Sequence, residues 1–185
     1  MIIYIHGFGG SGEGSKAKAF REYFKTKEKG FIAPSLSYVP ELAIKTLEEL
    51  IESYEEDVAL IGSSLGGFYA AYLSQKYNLK TVLLNPSIYP SKTLKNYIGY
   101  APNFYDESCF EWSEHHIDML DSYLQNNINK SKFMLLVQKG DELLNYQEAV
   151  DKYKDAYIIA EEGGSHQFNG IELYFDKIKA FLLDE

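Results

Sequence analysis

At 185 residues, 45% of them hydrophobic and 24% charged, the chain is expected to fold as one domain over 1–185 with a sizeable core. Its formal net charge of −9 argues against nucleic acid as a partner, because grip on a phosphate backbone depends on cationic contacts. A lone cysteine, Cys109, excludes an intramolecular disulfide or a cysteine-based zinc cluster, and apolar runs of only a few residues exclude a bilayer-spanning helix.

The N-terminus, Met1-Ile2-Ile3-Tyr4-Ile5-His6, lacks the basic and long apolar regions of a signal peptide and reads as a first strand, so cytoplasmic residence is the simplest expectation. The loop behind it, Gly7-Phe8-Gly9-Gly10-Ser11-Gly12-Glu13-Gly14, has the dinucleotide-binding spacing at Gly7, Gly9 and Gly12. The acidic residue that should meet a ribose about 20 residues later is missing, with Ser35-Leu36-Ser37 standing there. A phosphate-binding loop fails as well, since Gly9 and Gly14 are followed by Ser15-Lys16 where lysine must come first. A helix follows, with Ala17, Phe20, Phe24 and Lys27 on one stripe. Phe31 to Pro34 is a second strand whose proline marks an edge or an end. Pro40 opens a helix with Ala43, Leu47, Leu50, Ile51 and Tyr54 on its apolar face.

Val58-Ala59-Leu60-Ile61 reads as a buried parallel strand and runs directly into Gly62-Ser63-Ser64-Leu65-Gly66-Gly67, after which a helical pattern begins. Strand, Gly-x-Ser-x-Gly and helix is the context of a nucleophile elbow. The turn must reverse so sharply that glycine is needed two residues either side of Ser64, which leaves the hydroxyl clear of the sheet. The helix behind it carries Phe68, Tyr69, Tyr72, Leu73 and Tyr77, tyrosines read here as core. Thr81 to Leu84 is the fourth strand. From Pro86 to about Lys130 the pattern changes to proline, asparagine and serine mixed with aromatic residues, and a helix from about Ser113 to Leu124. No strand is evident there, and the segment reads as a cap-like helical insertion at 86–130, too long for an ordinary connection. Phe133 to Val137 and Tyr157 to Ala160 are the last strands, and Ile171, Tyr174, Phe175, Ile178, Phe181 and Leu182 mark a closing helix. The alternation predicts an α/β fold, a doubly wound and mostly parallel six-stranded sheet with helices on both faces and its site at the carboxyl ends of the strands.

A serine hydroxyl needs a base, and the base an orienting carboxylate. Of four histidines, His166 lies just past the last strand in a glycine loop and is the favoured base. His6 is expected to hold the loop beside it, while His115 and His116 lie in the insertion. Asp141, past the fifth strand, is the favoured carboxylate, with Glu142 its nearest rival and Asp151, Asp155 and Glu161 behind. The order Ser64, Asp141, His166 is that of the α/β-hydrolase triad. The oxyanion donors expected are the backbone N–H groups of Leu65, at the head of a helix, and Phe8, in the loop after the first strand.

Tyr4-Ile5-His6-Gly7-Phe8, Gly62 to Gly67, Gly140-Asp141-Glu142-Leu143-Leu144-Asn145-Tyr146 and Gly163-Gly164-Ser165-His166-Gln167-Phe168 together resemble the YqiA-like small esterases of the α/β-hydrolase superfamily. The resemblance runs through nearly the whole chain except 86–130. It implies a minimal α/β-hydrolase fold and carboxylesterase or acyl-thioesterase activity through Ser64, Asp141 and His166. A small ester or thioester is then the expected partner, with no metal, cofactor or membrane. An amidase or peptidase on the same fold, and a hydrolase-like receptor that does no chemistry, are the competing readings.

Overall fold

Strands buried on both faces read as continuous apolar runs, and four such runs here are fully buried along their length. The computed structural model describes residues 1–126 and 128–183. In chain order the elements are β1 (Ile2–Ile5), α1 (Ser15–Thr26), β2 (Phe31–Ile32), α2 (Pro40–Glu52), β3 (Ala59–Ser63), α3 (Leu65–Tyr77), β4 (Thr81–Leu84), α4 (Pro90–Thr93), β5 (Gly99–Pro102), β6 (Cys109–Trp112), α5 (Glu114–Asp121), β7 (Phe133–Gln138), α6 (Tyr146–Lys152), β8 (Tyr157–Glu161) and α7 (Phe175–Leu183). Single turns of 3-10 helix lie at Leu94–Tyr97, Lys130–Lys132 and Ile171–Tyr174.

Six strands form one sheet in the order β2-β1-β3-β4-β7-β8, every pair parallel. Alternate residues of each strand feed opposite faces. Ile3, Ile5, Leu60, Leu83 and Leu135 pack with Leu47 of α2 and Leu73 of α3, while Ile2, Tyr4, Ile61, Val82 and Leu136 pack with Phe20 of α1 and Ile178 of α7. Helices on both faces and a parallel sheet between them make this a doubly wound α/β fold. The chain leaves β1 for β2 on one side and returns to β3 on the other, so the loops after β1 and β3 diverge at the crevice where such sheets bind ligands. Phe8 and Ser64 stand in those two loops.

Three expectations are corrected. The 86–130 segment does contain strands: β5 and β6 pair antiparallel, Gly99 opposite Trp112 and Pro102 opposite Cys109. Each is four residues long and largely exposed, with only Ala101 and Trp112 turned into the core, so the hydrophobic alternation is too sparse to read, and Pro102 argues against a strand. Lys27 lies past the end of α1 and is exposed, so that stripe ends at Phe24. Tyr69 is core, but Tyr72 and Tyr77 are half-buried and donate their hydroxyls to Glu48 and Glu52 of α2, bridging two helices instead of filling the interior. The helix forecast near Ser113 is present as α5, capped by Ser113 and by His116, whose Nδ1 accepts from the Ser113 amide.

Candidate active site

Ser64 sits between β3 and α3 at φ 56°, ψ −122°, a backbone shape that non-glycine residues adopt only when their surroundings impose it. Its amide donates to the Leu84 carbonyl (3.1 Å), and its own carbonyl accepts from the amides of Gly67 (2.9 Å) and Ser87 (3.0 Å), so both ends of the residue are held. The flanking glycines are required by space. A Cβ on Gly62 would lie 2.4 Å from the Gly66 carbonyl oxygen, and one on Gly66 would lie 2.1 Å from that of Ile5. Across the crevice Gly7 is pressed on the same serine, with its hypothetical Cβ 3.0 Å from Ser64 Cβ.

His166 arrives from the loop after β8. Its Nε2 lies 3.0 Å from Ser64 Oγ and its Nδ1 lies 2.8 Å from Asp141 Oδ2. With the ring proton on Nδ1 donated to Asp141, Nε2 is the acceptor for the Ser64 hydroxyl. Asp141 follows β7, and its side chain is 2% exposed. Its other oxygen accepts from the amides of Leu143 (2.9 Å) and Leu144 (2.8 Å). Burial pushes the Asp141 carboxyl up, but the His166 hydrogen bond and the two amides outweigh it and hold the group below the ordinary carboxylate range. The structure thus brings together the three residues that the sequence singled out.

The rival carboxylate has a different place. Glu142 Oε2 accepts from the His166 backbone N–H (3.0 Å), which lowers its own pKa and ties the histidine loop to the loop of Asp141. His6 holds its own neighbourhood, as expected: its Nδ1–H donates to the Gly7 carbonyl (2.8 Å) and its Nε2 accepts from the Leu36 amide (3.0 Å). Burial lowers its pKa and favours that neutral form. His115 is exposed. Asp151 and Asp155 bind Gln147 and Lys130 at the surface, away from Ser64.

A cavity of about 830 Å³ opens over Ser64 and His166, with Phe8 and Leu65 in its wall. Leu65 is the first residue of α3, where the helix supplies no carbonyl for its amide. Phe8 is anchored by aromatic residues of the 86–130 segment: its ring centroid lies 4.8 Å from that of Trp112 and 5.4 Å from those of Tyr97 and Phe110. The β5–β6 hairpin also docks on the same loop, its Phe104 amide donating to the Gly9 carbonyl at 2.7 Å. Leu94, Tyr97, Phe104 and Tyr105 give the cavity wall an apolar, aromatic part, and Lys16 also lines it, its ammonium donating to the Gln167 carbonyl (2.7 Å). Burial brings the Lys16 pKa down to about 8 against the pull of the Asp141 charge. Among the described residues no group of three or more His, Cys, Asp or Glu is placed to hold a metal ion, and no helix is long and apolar enough to cross a membrane.

Two residues that contact the histidine loop were not singled out from sequence: Asn85, just past β4, and Gln138, the last residue of β7. Both are buried. The signal was there in principle, since each is an amide ending an otherwise apolar strand at the rim where the site lies.

Solved proteins share this fold. Mouse alpha/beta hydrolase domain-containing protein 10 superposes with a TM-score of 0.80 at 17% identity, covering 96% of this chain and 87% of that one. Est1E from Butyrivibrio proteoclasticus, solved with ferulic acid bound, gives 0.72 at 15% identity, covering 99% and 88%. Among sequence relatives, a UPF0227 protein of Pectobacterium atrosepticum is 24% identical over 188 residues, and YcfP of Escherichia coli is 23% identical over 188, each match covering 98% of both chains. Residues 1–183 match the family described as uncharacterised protein family UPF0227, and the chain belongs to that family.

Proposed function

We propose that this chain is a serine hydrolase that cleaves a carboxylic ester or acyl thioester through an acyl-Ser64 intermediate. The observation that carries the reading is the unbroken hydrogen-bonded line Ser64 Oγ, His166 Nε2, His166 Nδ1, Asp141 Oδ2, opening onto a cavity of about 830 Å³. A pocket of that size accommodates a small organic substrate.

His166 Nε2 takes the hydroxyl proton as Ser64 Oγ attacks the carbonyl carbon, and Asp141 stabilises the imidazolium while remaining ionised. The oxyanion of the tetrahedral intermediate is received by the amides of Leu65 and Phe8. Collapse breaks the bond to the alcohol or thiol, which leaves with the proton from Nε2. Water then attacks the acyl group, giving its proton to Nε2, and Ser64 recovers the proton as the acid departs. The aromatic residues of the cavity wall receive the apolar part of the substrate. Est1E, which shares the fold, is described with ferulic acid bound, and a carboxylic acid is the kind of product that ester cleavage releases.

The test is labelling with a fluorophosphonate, followed by a chain-length series of nitrophenyl esters beside acyl thioesters and matched amides. The expected result is stoichiometric modification of Ser64, loss of labelling in Ser64→Ala, and turnover lowered by about 10⁶ in that variant. Wild-type protein that binds such esters but neither turns them over nor is labelled would make it a receptor, and faster cleavage of amides than of esters would make it an amidase.

A further inference from the structure

His166 stands in a loop containing four residues of left-handed backbone, Gly163, Gly164, Phe168 and Gly170, and such a loop has no regular structure to fix its side chains. Glu142 and Lys16 each bind it at one point, and one buried amide binds it at three. Gln138 Oε1 accepts from the amides of Ser165 (3.0 Å) and Asn169 (2.9 Å), and Nε2 donates to the Asn169 carbonyl (2.7 Å) and to Glu161 Oε2 (2.8 Å). An amide side chain has two acceptor sites and two donor hydrogens, and all four are used, three of them on backbone groups flanking His166. The loop is wound closely round this side chain: a Cβ on Gly164 would fall 2.2 Å from Gln138 Cδ.

A second amide locks the first. Asn85 Oδ1 accepts from the Gln138 backbone N–H (2.9 Å), and Asn85 Nδ2 donates to the carbonyls of Ser165 (2.9 Å) and His166 (3.3 Å). Asn85 is itself at φ 40°, a region that asparagine tolerates better than most residues, and its backbone amide donates to Leu136 of β7 (3.0 Å). Two side chains on the rigid ends of adjacent strands therefore hold the backbone on both sides of the histidine, at a point where none of these bonds touches Ser64 or Asp141.

We propose that Gln138 and Asn85 are positioning residues for the reaction, a paired amide clamp that sets the reach of His166 Nε2 toward Ser64. This rests on the hydrolase reading above. A shift of about 1 Å at a reacting group costs on the order of 10²-fold in rate, so the clamp acts on turnover and leaves substrate affinity alone. Replacing the amide with a carboxylate makes the point selectively. In Gln138→Glu both acceptor bonds survive, but both donor bonds are lost: oxygen faces the Asn169 carbonyl, and the bond to Glu161 becomes a contact between two carboxylates, which is relieved when the pair shares a proton.

The experiment measures kcat and KM for wild type, Gln138→Glu, Gln138→Met and Asn85→Asp well below each melting temperature, with fluorophosphonate titration counting competent sites. The expected result is kcat per competent site down by about 10²-fold in Gln138→Met with KM nearly unchanged. Asn85→Asp should lose rate in the same direction. For Gln138→Glu the ratio of kcat to wild type should rise as pH falls, as a proton shared with Glu161 restores one of the two lost donor bonds. Should Gln138→Met fail to fold, the other two variants carry the test. Normal kcat per competent site in the folded variants, with a lower melting temperature alone, would reduce the clamp to a structural brace. Failure of wild-type Ser64 to label is a separate result that removes the hydrolase reading and the clamp's role together.

Discussion

Replacing Gly66 with alanine puts a methyl group where the fold has no room for one. The new Cβ would meet the carbonyl oxygen of Ile5 at 2.1 Å and that of His6 at 2.5 Å, more than an ångström inside van der Waals contact for the first. Neither oxygen can swing away, because both are backbone atoms and Ile5 is a fully buried residue paired in register with Gly62. The relief is to move the first turn of α3 outward, and that turn carries Leu65 and the carbonyl end of Ser64. Overpacking of this kind costs about 1–3 kcal/mol. In a domain of this length each kcal/mol lowers Tm by about 2–4 °C, so a drop of about 2–12 °C is expected by circular dichroism. Reactivity should suffer more than stability, since an outward shift of about 1 Å separates Ser64 from His166 and slows fluorophosphonate labelling by about 10². A Gly66→Ala protein with wild-type Tm and wild-type labelling rate would show that the contact between β1 and α3 does not set the elbow.

Asp141→Asn should reduce kcat by about 10⁴ by allowing the wrong imidazole tautomer, measured with a nitrophenyl ester; retention of full activity would take Asp141 out of the site. The same variant has a pH signature in stability. The native Asp141 carboxyl titrates below its unfolded counterpart, so its contribution is complete above about pH 4 and is lost as pH falls through the native value, and the Tm gap between wild type and variant should close on that limb. His6 is held neutral by burial, with a native pKa below that of the unfolded chain, so its share of stability is present above about pH 6.5 and lost as pH falls through the native value. His6→Ala should flatten the decline of Tm just below about pH 6.5, with the remainder belonging to His116, whose pKa is lowered first by burial and then by His115. Gly9→Ala combines a strained φ of 60° with a Cβ 2.3 Å from the Pro102 carbonyl oxygen, so it should free the hairpin from the β1 loop. Faster hydrogen exchange at the Phe104 amide is the readout, and unchanged protection there would count against the docking.

The central sheet was legible because each strand is an apolar run bounded by glycine, proline or charge, and because Gly62-Ser63-Ser64-Leu65-Gly66 leaves the backbone only one sharp path. Asp141 and His166 were legible through their order and their places after β7 and β8. The β5–β6 hairpin was not, since its register is set by docking of Trp112 under Phe8 and of Phe104 on Gly9, contacts made with residues about a hundred positions away. α6 was missed for a related reason: it is short and buries only Ala149, too little to produce a helical stripe. Gln138 and Asn85 escaped notice because an isolated amide at a strand end acquires meaning only when the partner loop is seen wrapped around it.

The separation of Ser64 from His166, 102 residues along the chain, carries a consequence for biosynthesis. On the proposed chemistry, a nascent polypeptide whose elbow has already emerged bears an ordinary, unactivated hydroxyl. It gains nucleophilicity only when β8 has docked beside β7 and delivered the imidazole, and such long-range contacts are slow to form. Covalent capture of Ser64 therefore reports completion of the sheet's far edge, and the rate at which that capture appears during refolding times the last docking step.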